Sequence, residues 1–138
     1  MPMTPRRARL LVVDDEPSIR KIFTLLIGGL GHKVVTVSRG QAALNRAQTK
    51  PFDIVFCDMM MPGMNGFKVL SGLQKSHKDL PVVIMTGHSR EKYESEARML
   101  GAFAFLPKPF DVGEIKDLIA RALARKKGGA GVDTPVKK

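Results

Sequence analysis

The sequence predicts an α/β fold in which five parallel strands form an open, doubly wound sheet with helices on both faces, built as a (βα)5 chain. Five short apolar runs alternate along the chain with five segments in which apolar residues recur at helical spacing. Four of these runs are almost continuously apolar, as strands covered on both faces require. A length of 138 residues suits one such domain.

The strands are assigned to the apolar runs themselves. The runs are Leu10–Val13, Val34–Val37, Ile54–Cys57, Val82–Met85 and Ala102–Leu106. The second run is mixed in character, which suits a strand at an edge of the sheet. Right-handed crossovers are compatible with the strand order 2-1-3-4-5, which is one of the two common orders for doubly wound sheets. We expect that order.

The first and last helical segments carry apolar stripes that we expect to face the core. The stripes are Ile19, Ile22, Phe23, Leu26 and Ile27 in the first segment, and Val112, Ile115, Leu118, Ile119 and Leu123 in the last. Pro17 suits the first turn of the first helix, Gly28, Gly29 and Gly31 are expected to end it, and Asp111 can cap the last helix.

Positive charge is concentrated at the two ends of the chain. Residues 1–9 carry +3 and residues 121–138 carry +5 of the net charge of +10, so the chain between them carries only +2. No aromatic residues alternate with these basic residues, as a surface that stacks on bases would require. We predict a basic tail over residues 1–8, a domain over 9–127 and a flexible basic tail over 128–138.

The sequence predicts a cytoplasmic protein without membrane insertion. No apolar run approaches the roughly 20 residues that a spanning helix needs, and residues 1–9 lack the apolar stretch of a secretory signal. The one cysteine, Cys57, lies within an apolar run, so the chain has no internal disulfide and we expect this thiol to be buried.

Acidic side chains follow two of the predicted strands at the end where all the carboxyl termini meet. Asp14 and Asp15 come after the first strand and Asp58 comes after the third, so three carboxylates should converge. Like charges at such distances raise one another's pKa values and oppose folding unless a cation lies between them. Because all the ligand atoms are oxygens, Mg²⁺ is the ion that fits best.

A hydroxyl and an ammonium complete the set, since Thr86 follows the fourth strand and Lys108 the fifth. Both groups can donate hydrogen bonds to a phosphoryl group carried by one of the carboxylates. Asp58, on the central strand, is the natural nucleophile. Any one of these residues could be only a cap, a turn or a solvated charge, but all the strand ends together predict a site.

Three segments of the sequence resemble the signature motifs of the receiver domain of bacterial response regulators. They are Val12–Pro17, Asp58–Gly66 and Phe105–Phe110. The resemblance extends over residues 9–125, and the chain is most similar to single-domain response regulators of the chemotaxis type. It implies a flavodoxin-like fold and a role in a two-component phosphorelay. Asp58 would accept a phosphoryl group from a sensor histidine kinase or a phosphotransfer protein.

The resemblance also implies the ligands of a magnesium ion. Asp14 and Asp15 would form the acidic pocket, with Asp15 a direct ligand. Asp58 would be a further ligand, and Met60 would contribute its main-chain carbonyl. The bond between Lys108 and proline 109 is expected to be cis, an isomer that is rare except before proline.

The same resemblance implies a conformational switch. Thr86 and Lys108 would contact the phosphoryl group, Thr86 would move inward, and Phe105 would fill the vacated space. This would change the surface formed by the fourth helix, the fifth strand and the fifth helix, which binds an unknown downstream protein. The alternative is that Phe105 only packs in the core.

Three residues depart from the usual family pattern. Asn65 stands where Asp is common, which should alter only the local turn. Met60 and His88 occupy positions that control the access of water to the phosphoryl group. We hypothesise that their bulk slows hydrolysis of the aspartyl phosphate.

Three functions are compatible with the sequence to different degrees. The first is a stand-alone receiver that switches binding to a protein partner, because the chain ends after the fifth helical segment. The second is a receiver from a regulator whose basic tails contact nucleic acid, which we regard as less favoured. The third, a phosphohydrolase, fits poorly because Met59 and Met60 follow Asp58 where such enzymes need a general-acid carboxylate. We expect a phosphoacceptor switch and not an enzyme beyond its own phosphorylation and dephosphorylation.

Overall fold

All five predicted strands and all five predicted helices are present in the computed structural model, which describes residues 7–87 and 90–128; of residues 90, 91 and 126–128 only the main chain is described. The elements are β1 (Arg9–Val13), α1 (Pro17–Gly29), β2 (Lys33–Val37), α2 (Gly40–Thr49), β3 (Ile54–Asp58), α3 (Gly66–Ser76), β4 (Val82–Thr86), α4 (Arg90–Met99), β5 (Ala104–Pro107) and α5 (Val112–Gly128). His88 and most of both predicted tails, residues 1–6 and 129–138, lie outside the described residues.

The five strands form one parallel sheet in the order β2-β1-β3-β4-β5, which confirms the predicted fold and topology. The register brings the ends of the central strands level with one another, since Val13 pairs with Cys57 and Asp58 pairs with Met85. The residues that follow β1, β3, β4 and β5 therefore share the carboxyl end of the sheet.

Two apolar layers cover the sheet. Helices α1 and α5 pack on one face, around Phe23 and Ile115, and α2, α3 and α4 pack on the other, around Leu73 and Ala97. Every residue of β3 and β4 is buried, whereas in β2 only Val37 is. This difference confirms the edge position predicted for the mixed run.

Strand β5 begins two residues later than predicted. The run was expected to start at Ala102, but the amide of Ala102 donates to the carbonyl of Ala97 at 3.0 Å and so completes the end of α4. Gly101, with a φ of 94°, makes this turn. The apolar character of residues 102 and 103 therefore belongs to the junction between helix and strand.

The apolar stripes are narrower than predicted. On α1, Phe23 and Ile27 are buried, but Ile22 is 49% exposed; on α5, Ile115 is buried, but Val112, the first helical residue, is also 49% exposed. Both exposed residues lie at the flanks of their stripes, so their prediction as core residues was wrong. None of the helices in the described ranges has the length and apolar character needed to cross a bilayer.

Helix α3 begins in close contact with the main chain at the end of β3. A Cβ atom added at Gly66 would lie 2.5 Å from the carbonyl oxygen of Asp58 and 2.8 Å from the Cα of Met59. Neither is an atom that can move aside as the end of a flexible side chain could. Only glycine permits this approach.

We predict that Gly66→Ala destabilises the protein by about 1–3 kcal/mol, because the methyl group forces the main chain apart. Gly28→Ala is the matched control: apart from its chain neighbours and the adjoining backbone of its own helix, no atom lies within 4 Å of its added Cβ, and alanine there should raise stability by up to about 1 kcal/mol. Urea unfolding measures both changes. A Gly66→Ala variant as stable as the wild type would contradict the prediction.

Candidate functional site

Three carboxylates converge at the carboxyl end of the sheet. Asp14, Asp15 and Asp58 each offer an oxygen, and these atoms all lie within 4.8 Å of one another. Asp14 and Asp58 are buried, whereas Asp15 is exposed. The predicted convergence is therefore present, with one carboxylate facing solvent.

The main chain holds the two buried acids firmly. The amide of Asp14 donates to the carbonyl of Val37 on β2 at 3.1 Å, and one carboxylate oxygen of Asp14 accepts from the amide of Glu16 at 2.9 Å. Asp58 is the last residue of β3, and the amide of the next residue donates to the carbonyl of Met85 at 2.8 Å. Sheet pairing thus continues to the edge of the site.

Lys108 is the cation of the site. Its amide donates to the carbonyl of Thr86 at 2.8 Å, which extends the pairing of β5 with β4. Its Nζ lies 3.1 Å from Asp58 Oδ1, 3.3 Å from Asp14 Oδ2 and 3.5 Å from Glu16 Oε1. The peptide bond between Lys108 and Pro109 is cis, as predicted.

Glu16 is a member of this network that the sequence reasoning missed. Its side chain is exposed, yet it lies close enough to Lys108 to form an ion pair. A signal was available, because Glu16 directly follows the two aspartates.

The carboxylates of the site carry more negative charge than the ammonium of Lys108 neutralises. Burial, and after it the charge of Asp14, raises the pKa of Asp58 to about 6 although Lys108 opposes the shift. Burial likewise raises the pKa of Asp14. Burial alone would lower the pKa of Lys108, but the neighbouring carboxylates of Asp58 and Asp14 outweigh it and raise that pKa. One ammonium does not balance the acids.

The donor set fits a hard divalent cation. All three side chains offer oxygen, two are held in place, and the exposed Asp15 leaves room for the water ligands that Mg²⁺ retains. Within the described part of the chain, this is the one cluster of three or more His, Cys, Asp or Glu side chains close enough to hold a metal ion.

The loop after β3 exposes one methionine between two buried ones. Met59 and Met61 are buried, whereas Met60 is 51% exposed. Asn65 at the end of this loop caps α3, because its side-chain oxygen accepts a hydrogen bond from the amide of Lys68 at 3.0 Å. The departure from Asp at this position thus keeps a capping residue.

Thr86 and Phe105 lie on the same face of the sheet. Thr86 is the last residue of β4 and is buried, and Phe105, in β5, pairs with Ile84, two residues before Thr86. Because side chains two apart on a strand share a face, Thr86 and Phe105 are diagonal neighbours. Phe105 is half-buried against the core beneath α2, α3 and α4.

The sequence model of the response regulator receiver domain matches residues 10–120. The chain belongs to the response regulator receiver family. The receiver is 39% identical over 113 residues to the DNA-binding transcriptional regulator NtrC of Klebsiella pneumoniae, a match that covers 82% of this chain and 24% of NtrC. It is 35% identical over 131 residues to the response regulator protein FleR of Pseudomonas aeruginosa, covering 94% and 27% of the two chains.

Among solved structures, the receiver is similar to the chemotaxis protein CheY4 of Vibrio cholerae, with a TM-score of 0.80 and 29% identity over 85% of this chain and 99% of that one. This chain spans about a quarter of the length of the curated relatives that it matches. The matching region in NtrC and FleR is therefore one part of a longer protein.

We predict that Asp58→Asn stabilises the metal-free receiver by about 1–2 kcal/mol near pH 7.5. One unit of difference between the folded and unfolded pKa of Asp58 corresponds to about 1.4 kcal/mol in the free energy of unfolding. The cost of burying the uncharged amide offsets part of the stability that the variant gains. The folded pKa of Asp58, about 6, exceeds the unfolded value of about 3.9. The contribution of this carboxyl group to folding stability is therefore fully present below about pH 4 and is lost as the pH rises through about 6. The advantage of the variant should therefore grow with pH.

Urea unfolding in the presence of a chelator, at several values between about pH 4.5 and about pH 7.5, measures this difference. Asp79→Asn, which removes an exposed carboxylate in the loop before β4, is the control and should show little pH-dependent difference. A constant difference between Asp58→Asn and wild type across this range would contradict the raised pKa of Asp58.

Proposed function

We propose that this receiver accepts one phosphoryl group on Asp58 in a magnesium-dependent reaction and thereby switches the binding of a partner protein. The observation that carries the proposal is the placement of a buried carboxylate, Asp58, among two further acids with Lys108 Nζ 3.1 Å away. A nucleophile, an excess of negative charge suited to a divalent cation, and a cation for the phosphoryl group are thus adjacent.

In the proposed reaction, an ionised carboxylate oxygen of Asp58 attacks the phosphorus atom of a phosphodonor. A bond forms between that oxygen and phosphorus, the bond from phosphorus to the leaving group breaks, and the leaving group takes the electron pair. Lys108 would then donate from Nζ to a phosphoryl oxygen, and the hydroxyl of Thr86 would donate to another. The product is an aspartyl phosphate.

The residues that would hold magnesium are Asp14, Asp15, Asp58 and the main-chain carbonyl of Met60. A bound Mg²⁺ would supply neutralisation of the negative charge that gathers on the phosphoryl oxygens. The chain itself contributes the orientation: Asp14 is fixed by Glu16 and Val37, and Asp58 by the pairing of β3 with β4.

The donor would be a sensor histidine kinase or a phosphotransfer protein in the cytoplasm, and the response would pass to a downstream protein through the surface of α4, β5 and α5. Thr86 lies at the site and Phe105 lies in β5. Because the two residues are diagonal neighbours, they would couple phosphorylation of Asp58 to this surface. Binding of the phosphoryl group by Thr86 would favour one of two arrangements of Phe105. The switch acts once per phosphoryl group, which distinguishes it from an enzyme.

Incubation with Mg²⁺ and acetyl phosphate should add the mass of one phosphoryl group to the intact protein. Asp58→Asn and the wild type without Mg²⁺ should add none, and Asp79→Asn should behave like the wild type, because Asp79 lies outside the acidic cluster. Intact mass spectrometry measures the gain. Absence of the gain in the wild type, or its persistence in Asp58→Asn, would rule out the proposed acceptor.

Phosphorylation should shift the aromatic NMR resonances of Phe105 more than those of Phe56, which is buried on the opposite face of the sheet. The physical reason is the movement of Thr86 beside Phe105, so Thr86→Val should reduce the shift at Phe105. Selective labelling of phenylalanine allows the comparison. Unchanged resonances of Phe105 in the phosphorylated protein would support simple core packing instead of a switch.

A further inference from the structure

The side chain of Arg20 binds the main chain of the acidic loop, which consists of Asp14, Asp15 and Glu16 between β1 and α1. Arg20 lies in the first turn of α1, and its Nη1 donates a hydrogen bond to the carbonyl oxygen of Asp14 at 2.8 Å, in a partly buried position. The amide of Arg20 donates to the carbonyl of Glu16 at 3.2 Å, so its main chain is tied to the same loop. Arg20 thus contacts the loop at two of its three residues.

The carbonyl that Arg20 binds belongs to the peptide unit between Asp14 and Asp15. A peptide unit is planar, so a hydrogen bond that fixes the oxygen of Asp14 also fixes the amide of Asp15 and the direction in which its Cα leaves the plane. The other contacts of this loop act on Asp14, through its amide and its carboxylate, and on Glu16, through its carbonyl and its carboxylate. The contact from Arg20 bears on the exposed Asp15.

We propose that Arg20 is a positioning residue for the metal site: it fixes the peptide between Asp14 and Asp15 so that the carboxylate of Asp15 is directed toward Asp58 before a cation binds. The inference rests on the proposed function, since it assigns Arg20 a part in magnesium binding. Groups that orient metal ligands commonly contribute strongly to affinity although they never touch the ion. The planar, directional guanidinium suits this role better than an ammonium.

Charge alone predicts the opposite effect. Arg20 is a cation close to a cation site, so if it acted only through its charge, its removal would strengthen magnesium binding. If it positions Asp15, its removal weakens magnesium binding because the carboxylate must be ordered when the ion binds. The sign of the change in affinity therefore separates the two roles.

The experiment compares Arg20→Met, which removes both the charge and the donor, with Arg20→Lys, which keeps the charge but has no planar fork. Lys21→Met is the matched control, because it removes the same charge from the next residue, whose side chain is exposed. Isothermal titration with MgCl₂ gives the affinities, and urea unfolding confirms that each variant is folded. The ¹³C resonance of the Asp14 carbonyl reports directly on the hydrogen bond.

We expect Arg20→Met to bind magnesium roughly tenfold more weakly than the wild type, at the lower end of the range for groups that orient ligands, with a displaced Asp14 carbonyl resonance. Arg20→Lys should fall between the two, and Lys21→Met should match the wild type. Binding by Arg20→Met that equals or exceeds that of the wild type would overturn the inference, as would an equal loss in Lys21→Met.

If Arg20→Met does not fold, Arg20→Lys decides: wild-type affinity together with a displaced Asp14 carbonyl resonance would overturn the inference. The wild type separates this outcome from failure of the proposed function. A wild type that binds no magnesium and gains no phosphoryl group overturns both, whereas a wild type that does both beside an unaffected Arg20→Met overturns only the role of Arg20.

Discussion

The ion pair between Lys108 and Asp58 is the interaction around which the site is built. Its Nζ and Oδ1 atoms lie 3.1 Å apart at the end of an otherwise apolar sheet. Lys108 also contacts Asp14, but one ammonium does not balance three acids, and burial together with the charge of Asp14 keeps the pKa of Asp58 raised. A fold selected only for stability would not place three carboxylates there. The site therefore lowers stability, as the proposed binding of a cation and a phosphoryl group would require.

The parallel sheet makes that arrangement achievable. Because β1, β3, β4 and β5 end at the same level, residues distant in sequence meet without long loops. Three local contacts then fix the edge: the amide of Glu16 binds Asp14, the guanidinium of Arg20 binds the adjoining carbonyl, and Gly66 lets α3 approach the main chain of Asp58. The main chain of the site is thus ordered while its charges remain unbalanced.

The sequence predicted the strands and the strand-end residues because both depend on patterns that are local in the chain. Continuous apolar runs marked the buried strands, and the polar residue after each run was necessarily at the carboxyl end. The start of β5 was placed too early because a helix-ending hydrogen bond at Ala102 does not change the apolar character of that residue. The exposure of Ile22 depends on what packs beside α1, which helical spacing alone does not encode.

The contacts of Glu16 and Arg20 were not predicted for a different reason. Both involve charged side chains that residue type alone would place in solvent, and both depend on the exact path of the loop after β1. The spacing of four between them was visible in the sequence, but a spacing of four is common on helices and does not indicate a partner on the main chain.

The most direct test of the account is to locate the cation. A crystal of the receiver grown with Mn²⁺ in place of Mg²⁺ would reveal the ion by anomalous scattering. A peak is expected about 2.0–2.3 Å from carboxylate oxygens of both Asp15 and Asp58. The absence of any peak at the carboxyl end of the sheet, in a crystal whose acidic cluster is open to solvent, would contradict the claim that this cluster exists to hold a divalent cation.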